Sequence, residues 1–217
     1  MIDDLFAAAE HRQRWQEALA PGVLLLRGFV LDAEAQLLAA LRAVLAAAPL
    51  RRLSTPGGRR LSVASSNCGA LGWLSDAAGY RYSRCDPLSG QPWPALPPLL
   101  GELAAQAAAQ AGFAGFRADA CLINRYRPGA RMGLHQDRDE RDLRQPIVSI
   151  SLGLPATFLL GGLQRAAPVQ RVALLHGDVL VWGGPARLRY HGVLPLAAGE
   201  HPRLGAQRLN LSLRRAG

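Results

Sequence analysis

Two histidines and one aspartate constrain the fold of this chain more than any other feature. His135 and Asp137 lie two residues apart, and His191 follows 54 residues after the aspartate. Side chains two residues apart on a β-strand point to the same face, so the close pair needs only one strand. The distant histidine can join them only if a sheet folds back. Two imidazoles and one carboxylate are typical ligands of a divalent iron whose other coordination positions stay open.

A second copy of the same His-x-Asp pattern occurs at 176–178. Its Gly-Asp pair lies between two apolar runs, 172–175 and 179–182, which is typical of a hairpin turn. We therefore interpret this copy as a turn and give its histidine no ligand role. Two further histidines, His11 and His201, lie in polar surroundings and are expected to be solvated. His191 itself has an ordinary alternative role as a satisfied polar residue in a strand.

Composition predicts one globular domain over residues 1–217. A hydrophobic content of 49% in 217 residues is enough for a substantial core. No apolar run reaches the ~18 residues of a membrane span, and the acidic start is unlike a secretory signal. We therefore expect no membrane partner. Cys68, Cys85 and Cys121 are widely spaced and form no Cys-x-x-Cys pair, which fits a reducing cytoplasm.

The positive charge of the chain is carried by arginine alone. The net charge is +9, and the sequence contains no lysine. An arginine-rich surface attracts polyanions, phosphate backbones above all. A basic protein without a nucleic-acid partner would have the same composition, so charge by itself does not decide between these two classes.

Two helices are predicted in the first half of the chain. Asp32 is the expected N-cap of the first, and Pro49 is expected to end it. Its apolar residues recur at spacings of three and four: Leu37, Leu38, Leu41, Val44 and Leu45. The second helix is predicted over about 98–111, ending at Gly112. Both are expected to pack on a sheet.

From residue 118 onwards the chain is predicted to form successive short strands without intervening helices. The predicted strands are 121–126, 147–152, 157–160, 169–175, 179–182, 188–193 and 208–214. This pattern is typical of a double-stranded β-helix, or jelly roll. We expect an α+β, mainly β fold, in which about 118–217 forms the jelly-roll core and brings the three candidate ligands to one open end.

The last predicted strand has a strict alternation of residue types. Its leucines face one way, while its polar residues face the other: Arg208, Asn210, Ser212 and Arg214. Charges directed into a barrel are costly without partners. A dicarboxylate would satisfy two arginines separated by a strand of ~20 Å. The alternative is that this polar face meets solvent.

The segment at about 51–94 differs from the rest of the chain. It is rich in glycine, serine, proline and aromatic residues, so short strands and loops are expected. Aromatic side chains on loops are candidates for recognition, and Trp73 and Tyr80 are the strongest here. Trp93 fits equally well with a small core that closes over the sheet.

These residues resemble the AlkB family of alkylation-repair dioxygenases, and the resemblance covers nearly the whole chain. The stretches that carry it are Thr55–Gly58, Asn67–Gly69, Asn124–Gly129, Leu134–Glu140, Ser149–Gly153, His176–Gly184, Arg189–Gly192 and Arg208–Arg214, with Trp73. The resemblance implies that iron(II) and O₂ are used with 2-oxoglutarate as cosubstrate.

The resemblance also implies a role for each matching position. The implied iron ligands are His135, Asp137 and His191. The implied 2-oxoglutarate residues are Asn124, Tyr126, Arg208, Asn210 and Arg214. The implied substrate residues are Trp73, Tyr80, Arg81, Tyr82, Asp139 and Arg165. In this assignment His135 also stacks on the damaged base opposite Trp73, within a nucleotide-recognition lid.

The reaction that the resemblance implies is oxidative demethylation of methylated adenine and cytosine, with release of formaldehyde and succinate. The expected partner is alkylated single- or double-stranded DNA, with RNA as a further candidate, and we expect a cytoplasmic monomer. The chain departs from the family pattern at Ser65, Gly133 and Arg59, which bears on its substrate range. The alternatives are an iron and 2-oxoglutarate oxygenase acting on protein or a small molecule, and a non-catalytic nucleic-acid-binding jelly roll.

Overall fold

Two antiparallel sheets and two helices make up the fold in the computed structural model, which describes residues 14–217. The strands are β1 (Gln16–Ala20), β2 (Val23–Leu26), β3 (Ala64–Gly69), β4 (Gly72–Asp76), β5 (Gly79–Ser83), β6 (Ala120–Tyr126), β7 (Met132–His135), β8 (Ile147–Gly153), β9 (Ala156–Leu160), β10 (Gln170–Leu174), β11 (Val179–Trp182), β12 (His191–Val193) and β13 (Arg208–Arg214). The helices are α1 (Glu34–Ala47) and α2 (Pro98–Gln110), with short 3₁₀ turns at Leu31–Ala33 and Gly184–Ala186.

The larger sheet has the order β1-β2-β11-β8-β13-β6-β3, and the smaller has the order β10-β9-β12-β7. A separate hairpin pairs β4 with β5. The mainly β jelly-roll prediction is confirmed. The larger sheet also takes three strands from before residue 118, since β2 borders β11, β1 borders β2, and β3 borders β6.

The core is divided by the larger sheet. On its outer face α1 and α2 pack against the leucines of β13, with side chains that are almost completely buried. A second cluster fills the space between the two sheets, and Phe158 and Trp182 belong to it. The alternation predicted for 208–214 is therefore confirmed: the leucines face the helices, and the polar residues face the space between the sheets. None of the helices among residues 14–217 is both long and apolar enough to span a membrane.

The predicted start of the first helix is wrong. Asp32 lies in the preceding 3₁₀ turn, where it pairs with Arg14, and the helix begins at Glu34 with Ala33 in the N-cap position and no side-chain cap. Asp32 is part of that turn and lies one residue before the N-cap position, so its carboxylate does not cap the helix. The end before Pro49 is as predicted, and the second helix also matches its predicted range.

The turn predicted at 176–178 is confirmed, but it is not a hairpin, because β10 belongs to the smaller sheet and β11 to the larger one. Gly177 adopts φ +88° between β10 and β11, and a side chain there would clash with Leu31. His176 accepts a hydrogen bond from the Gly153 amide and contacts Glu34, on the outer side of the sheet. His201 is half-buried, with its ring 4.3 Å from that of His176, so it is solvated only in part. His11 lies outside the described residues.

Candidate active site

The three candidate ligands come together at the open end between the sheets. β7 and β12 are antiparallel neighbours, and His135 lies directly opposite His191 in their register. A carboxylate oxygen of Asp137 lies 3.7 Å from Nε2 of His135, and the other lies 3.6 Å from Nε2 of His191. One ligand atom from each residue lies within 4.8 Å of the others, which suits a single metal ion.

The strand that carries the His-x-Asp pair is shorter than the sequence suggests. β7 ends at His135, and Asp137 follows in irregular backbone. The expected common strand face is therefore not what aligns the pair. Asp137 is held instead by its neighbours: Arg187 donates to its carbonyl oxygen at 2.6 Å, and Arg214 donates to its carboxylate at 2.5 Å.

Backbone carbonyls orient both imidazoles. Nδ1 of His135 lies 2.8 Å from the Gly133 carbonyl oxygen, and Nδ1 of His191 lies 3.0 Å from that of Arg189. A carbonyl can only accept, so each Nδ1 carries the proton and each Nε2 presents its lone pair. Both lone pairs lie on the side of the Asp137 carboxylate, as metal binding requires.

The charge states at this site also suit a metal. Burial, and to a lesser extent His191, lower the pKa of His135 to about 4, so the ring is neutral near pH 7. Burial alone would raise the pKa of Asp137, but Arg214 and the two imidazoles outweigh it and hold that pKa well below its usual range. The neutral His135 imidazole and the ionised Asp137 carboxylate therefore face the same point as the His191 ring.

Deeper between the sheets, Arg208 forms a cradle for an anion. It is 1% exposed, its Nη2 donates to Ser151 at 2.9 Å, and its guanidinium lies 5.2 Å from the centre of the Tyr126 ring. Its Nε and Nη1 have no acceptor among residues 14–217. A buried cation with two unused donors is costly unless an anion completes it. A carboxylate matches the planar fork of the guanidinium.

Two buried asparagines lie beside this cradle. Asn210 is opposite Asn124 in the pairing of β13 with β6, and both line the same cavity as the candidate ligands. Asn210 donates to Ser149 at 2.7 Å, and Asn124 accepts from Ser65 at 2.7 Å. Ser65, a departure from the family pattern, therefore has a defined contact at this site.

Arg214 differs from Arg208 because it already has anionic partners. Besides Asp137 it contacts Glu140 at 3.3 Å, and its Nη1 donates to the hydroxyl of Tyr82. That hydroxyl donates to Glu140, and burial raises the Tyr82 pKa far above its ordinary value, so the proton stays in place. Tyr82 therefore lies in a buried network behind the site rather than on the cavity wall.

Sequence reasoning missed the other half of this network. Arg187 and Glu140 form a buried ion pair at 2.8 Å, with side chains only 3% and 2% exposed. Arg187 also donates to the Gln145 carbonyl, so one side chain holds three positions of the segment 137–145. Arg187 directly follows a Pro-Ala pair, and this local sequence does not indicate a buried ion pair. The partners of Arg187 are too remote in sequence to be recognised from it.

An aromatic pair stands at the mouth of the cavity. The rings of Trp73 and Tyr80 stack at 5.7 Å with an angle of 13°, and Tyr80 is 51% exposed. The indole N–H of Trp73 donates to the Asp139 carboxylate at 2.9 Å. Arg165 lines the mouth with its guanidinium on the ring of Tyr190. Trp93, by contrast, is buried with Leu74 and Ala48 in a small core.

The remaining predicted site residues lie at different distances from the cavity. Arg81 forms a two-pronged ion pair with Asp76 within the β4–β5 hairpin and lines a neighbouring groove instead. Arg59 is exposed in the turn that Thr55 closes. A side chain at Gly133 would meet no atom within 4 Å in the described structure, so this departure leaves open space.

One cavity of about 340 Å³ connects the three ligands, the Arg208 cradle and the aromatic mouth. The donor set fits iron(II), and the unpartnered donors of Arg208 fit a cosubstrate with a distal carboxylate. The fold and the site together define an oxygenase that uses iron(II) and 2-oxoglutarate.

Comparison with known proteins gives the same class. Residues 22–214 match the 2OG-Fe(II) oxygenase superfamily. The chain is 54% identical, over 98% of its own length and 97% of the relative, to the alpha-ketoglutarate-dependent dioxygenase AlkB of Salmonella typhimurium. It is 39% identical to the nucleic acid dioxygenase ALKBH1 of Homo sapiens, over 60% of this chain and 34% of that protein. The solved structure of OsALKBH1 has a TM-score of 0.80 at 27% identity, covering 93% of this chain and 100% of that one. The chain therefore belongs to the 2OG-Fe(II) oxygenase superfamily and, within it, to the AlkB family.

Proposed function

We propose that this enzyme removes N-methyl groups from adenine and cytosine in alkylated DNA, and in RNA, as a direct-reversal repair reaction. The observation that carries the proposal is the content of one cavity: a metal triad, a carboxylate cradle and an aromatic mouth with a carboxylate beside it. The similarity to relatives named as a dioxygenase AlkB and as a nucleic acid dioxygenase supports it.

His135, Asp137 and His191 are the proposed iron ligands. The carbonyl contacts at Nδ1 fix both rings before metal arrives, so binding requires little reorganisation. Arg214 keeps the Asp137 carboxylate ionised and holds it in place.

Arg208 is the proposed anchor for the distal carboxylate of 2-oxoglutarate, with Tyr126 beside it. Asn124 and Asn210 would contact the body of the cosubstrate from the same sheet face, and Arg214 would lie near its other end. The support is position, because all five side chains line the cavity that contains the triad. Fixing the cosubstrate at its far end leaves its reactive end directed to the metal.

Trp73 and Tyr80 are the proposed base-stacking residues, with His135 on the opposite face of the base. A base cannot reach this cavity from inside a duplex, so it must be flipped out or already single-stranded. Methylation of a ring nitrogen leaves the base cationic, and the Asp139 carboxylate then favours the damaged base over the normal one. Arg81 and Tyr82 on the hairpin belong to the proposed recognition lid at about 51–94, and Arg165 at the rim is a proposed substrate contact.

Iron(II) with 2-oxoglutarate and O₂ would supply the oxidation: the N-methyl carbon leaves as formaldehyde, the ring nitrogen regains its lone pair as one proton is released, and 2-oxoglutarate becomes succinate and CO₂. The protein positions the reactants and excludes water. Phe158 and Trp182 form a dry wall around His191, with ring centres 5.8 and 5.0 Å from the imidazole. We further propose that the chain acts as a monomer in the cytoplasm, which the three free thiols support.

A turnover assay tests this proposal against its rivals. Succinate and formaldehyde would be measured with iron(II) and 2-oxoglutarate, with and without oligonucleotides that carry 1-methyladenine or 3-methylcytosine. Stoichiometric formaldehyde release that requires the methylated base supports repair. Succinate formation that only a protein or small-molecule fraction stimulates would favour another oxygenase, and no 2-oxoglutarate turnover under any condition would leave only a binding module.

A further inference from the structure

A cleft lined by arginines lies beside the active site and is not used by the proposed reaction. Its arginines are Arg51, Arg52, Arg60, Arg125 and Arg127. The cleft measures about 520 Å³, and no acidic side chain from residues 14–217 lines it. Its residues come from the β3 and β6 edge of the larger sheet and from the segment that leads into β3.

The cleft and the catalytic cavity lie on opposite faces of the same strands. Along β6 and its continuation, Asn124 and Tyr126 line the cavity, while Arg125 and Arg127 line the cleft. This division follows from the two-residue period of side chains on a strand. Asn124 and Tyr126, which are proposed to hold the cosubstrate, are thus each followed by an arginine on the opposite face.

The neighbouring strand shows the same division. Leu61 and Ser65 line the cavity, while Ser62 and Ala64 line the cleft. β3 is the last strand of the larger sheet, and Arg51 pairs with Ser65 along its outer side. The two sites are therefore separated at this edge by β3 and the segment that pairs with it, about two strand spacings of ~4.8 Å. A flexible chain leaving the cavity has this edge to pass before it reaches the cleft.

The positive charges of the cleft are not neutralised by the described protein. Arg51 pairs with Asp86, but Arg52, Arg60, Arg125 and Arg127 have no carboxylate within 4.0 Å among residues 14–217. The Nε of Arg125 is buried without a hydrogen-bond partner in the same part of the chain. Burial lowers the pKa of Arg125, and the nearby charges of Arg127 and Arg52 lower it further. A bound anion would supply the partners that these arginines lack.

We propose that this cleft binds the phosphodiester backbone of the substrate strand, next to the nucleotide whose base occupies the catalytic cavity. The inference rests on the proposed function and adds a second contact region to it. Several converging guanidinium groups suit a repeated anion better than a single carboxylate, because each phosphate can receive two parallel hydrogen bonds. Cleft and cavity together would select a nucleic acid over a free methylated base.

The test uses a pair of substitutions and a matched pair that removes the same charge elsewhere. Arg52→Gln with Arg127→Gln changes two exposed arginines of the cleft. Arg42→Gln with Arg171→Gln changes two exposed arginines on α1 and β10. Binding of a fluorescent, unmethylated single-stranded 15-mer is measured by anisotropy at several salt concentrations. Formaldehyde release is measured in parallel on methylated oligonucleotides of 3, 5, 9 and 15 nucleotides.

The cleft pair should weaken binding of the 15-mer several-fold. The slope of log Kd against log salt should become shallower by about 1.4, since each lost phosphate contact contributes about 0.7 for a single strand. In the wild type, kcat/KM should rise with oligonucleotide length, and the cleft pair should flatten that rise while the control pair follows the wild type.

Equal losses of oligonucleotide binding in the cleft pair and the control pair would show a general charge effect and overturn the proposal. Wild-type binding and wild-type dependence on oligonucleotide length in the cleft pair would overturn it as well. Failure of the proposed function looks different, because the wild type would then release no formaldehyde from any methylated oligonucleotide. The anisotropy measurement would still decide whether the cleft binds a strand.

Discussion

The floor of the cavity and its mouth are built in different ways. The floor lies on paired strands: Arg208 is opposite Tyr126, and Asn210 is opposite Asn124, so the sheet register fixes their positions. The mouth depends on side-chain contacts between remote segments, such as the hydrogen bond from Trp73 on the β4–β5 hairpin to Asp139. Only one hairpin carries the aromatic pair.

This difference assigns separate tasks to the two regions. The register-fixed residues of the floor, with Asp137 held by Arg187 and Arg214, would keep iron and cosubstrate in one geometry, which the chemical step requires. Trp73 and Tyr80 lie on a hairpin outside both main sheets, so substitution of these two side chains leaves the pairing of the floor strands intact. We therefore expect changes in the floor to abolish or impair turnover of every substrate, and changes at the mouth to alter which bases are accepted.

The largest effect is expected at a metal ligand. His191→Ala should abolish succinate and formaldehyde production, because two ligands remain where three are needed. His176→Ala is the matched control, since that histidine lies in a turn on the outer side of the sheet. Circular dichroism would confirm that both variants fold. An active His191→Ala beside an inactive His176→Ala would show that the ligand set has been assigned wrongly.

A large effect is expected at the floor for Arg208→Lys. Lysine keeps the charge but loses the planar fork. Loss of one charged hydrogen bond, ~1.5–3 kcal/mol, corresponds to a rise of about 10- to 100-fold in KM for 2-oxoglutarate. Arg171→Lys, on an exposed strand position, is the control. An unchanged KM for 2-oxoglutarate would remove Arg208 from the cosubstrate site.

An intermediate effect is expected at the mouth. Trp73→Ala should reduce kcat/KM for methylated oligonucleotides by the ~1–3 kcal/mol of one stacking contact, while KM for 2-oxoglutarate stays at its wild-type value. Trp15→Ala is a suitable control, because that tryptophan is also exposed but packs on Arg27. If Trp73→Ala impaired the use of 2-oxoglutarate as much as the use of methylated oligonucleotides, the hairpin would support the floor and would not read bases.

A smaller effect is expected in the stability of the metal-free protein. The folded pKa of His135, about 4, lies below its ordinary value of 6.5, so between these two values the unfolded chain binds the proton and the folded chain does not. Stability should therefore fall as pH decreases from 6.5 towards 4. The effect is limited, because the side chain is 40% exposed. Denaturant unfolding of wild type and His135→Gln at pH 7 and pH 5 measures it; a wild type that lost no more stability than the variant would contradict the assigned shift.

The floor could be predicted from the sequence, and the mouth only in part. Strict alternation over 208–214 is a local signal, and the structure has the polar face where that pattern places it. The role of Arg187 could not be predicted, because its partners Asp137, Glu140 and Gln145 lie more than 40 residues away. The end of β7 at His135 was missed for the same reason: the buried contacts that hold Asp137, and not strand pairing, set the geometry there.

Formaldehyde release by Asp139→Asn tests the division between floor and mouth most directly. Asparagine keeps an oxygen that can accept the hydrogen bond from Trp73 but removes the charge proposed to face the base. Because 1-methyladenine and 3-methylcytosine are both cationic, formaldehyde release from oligonucleotides with either lesion should fall by about fivefold, the magnitude of an exposed charge interaction, while succinate formation without oligonucleotide stays at the wild-type rate. Wild-type formaldehyde release on both lesions, or a parallel loss of succinate formation, would contradict the account, because the mouth would then either not read bases or not be separable from the floor.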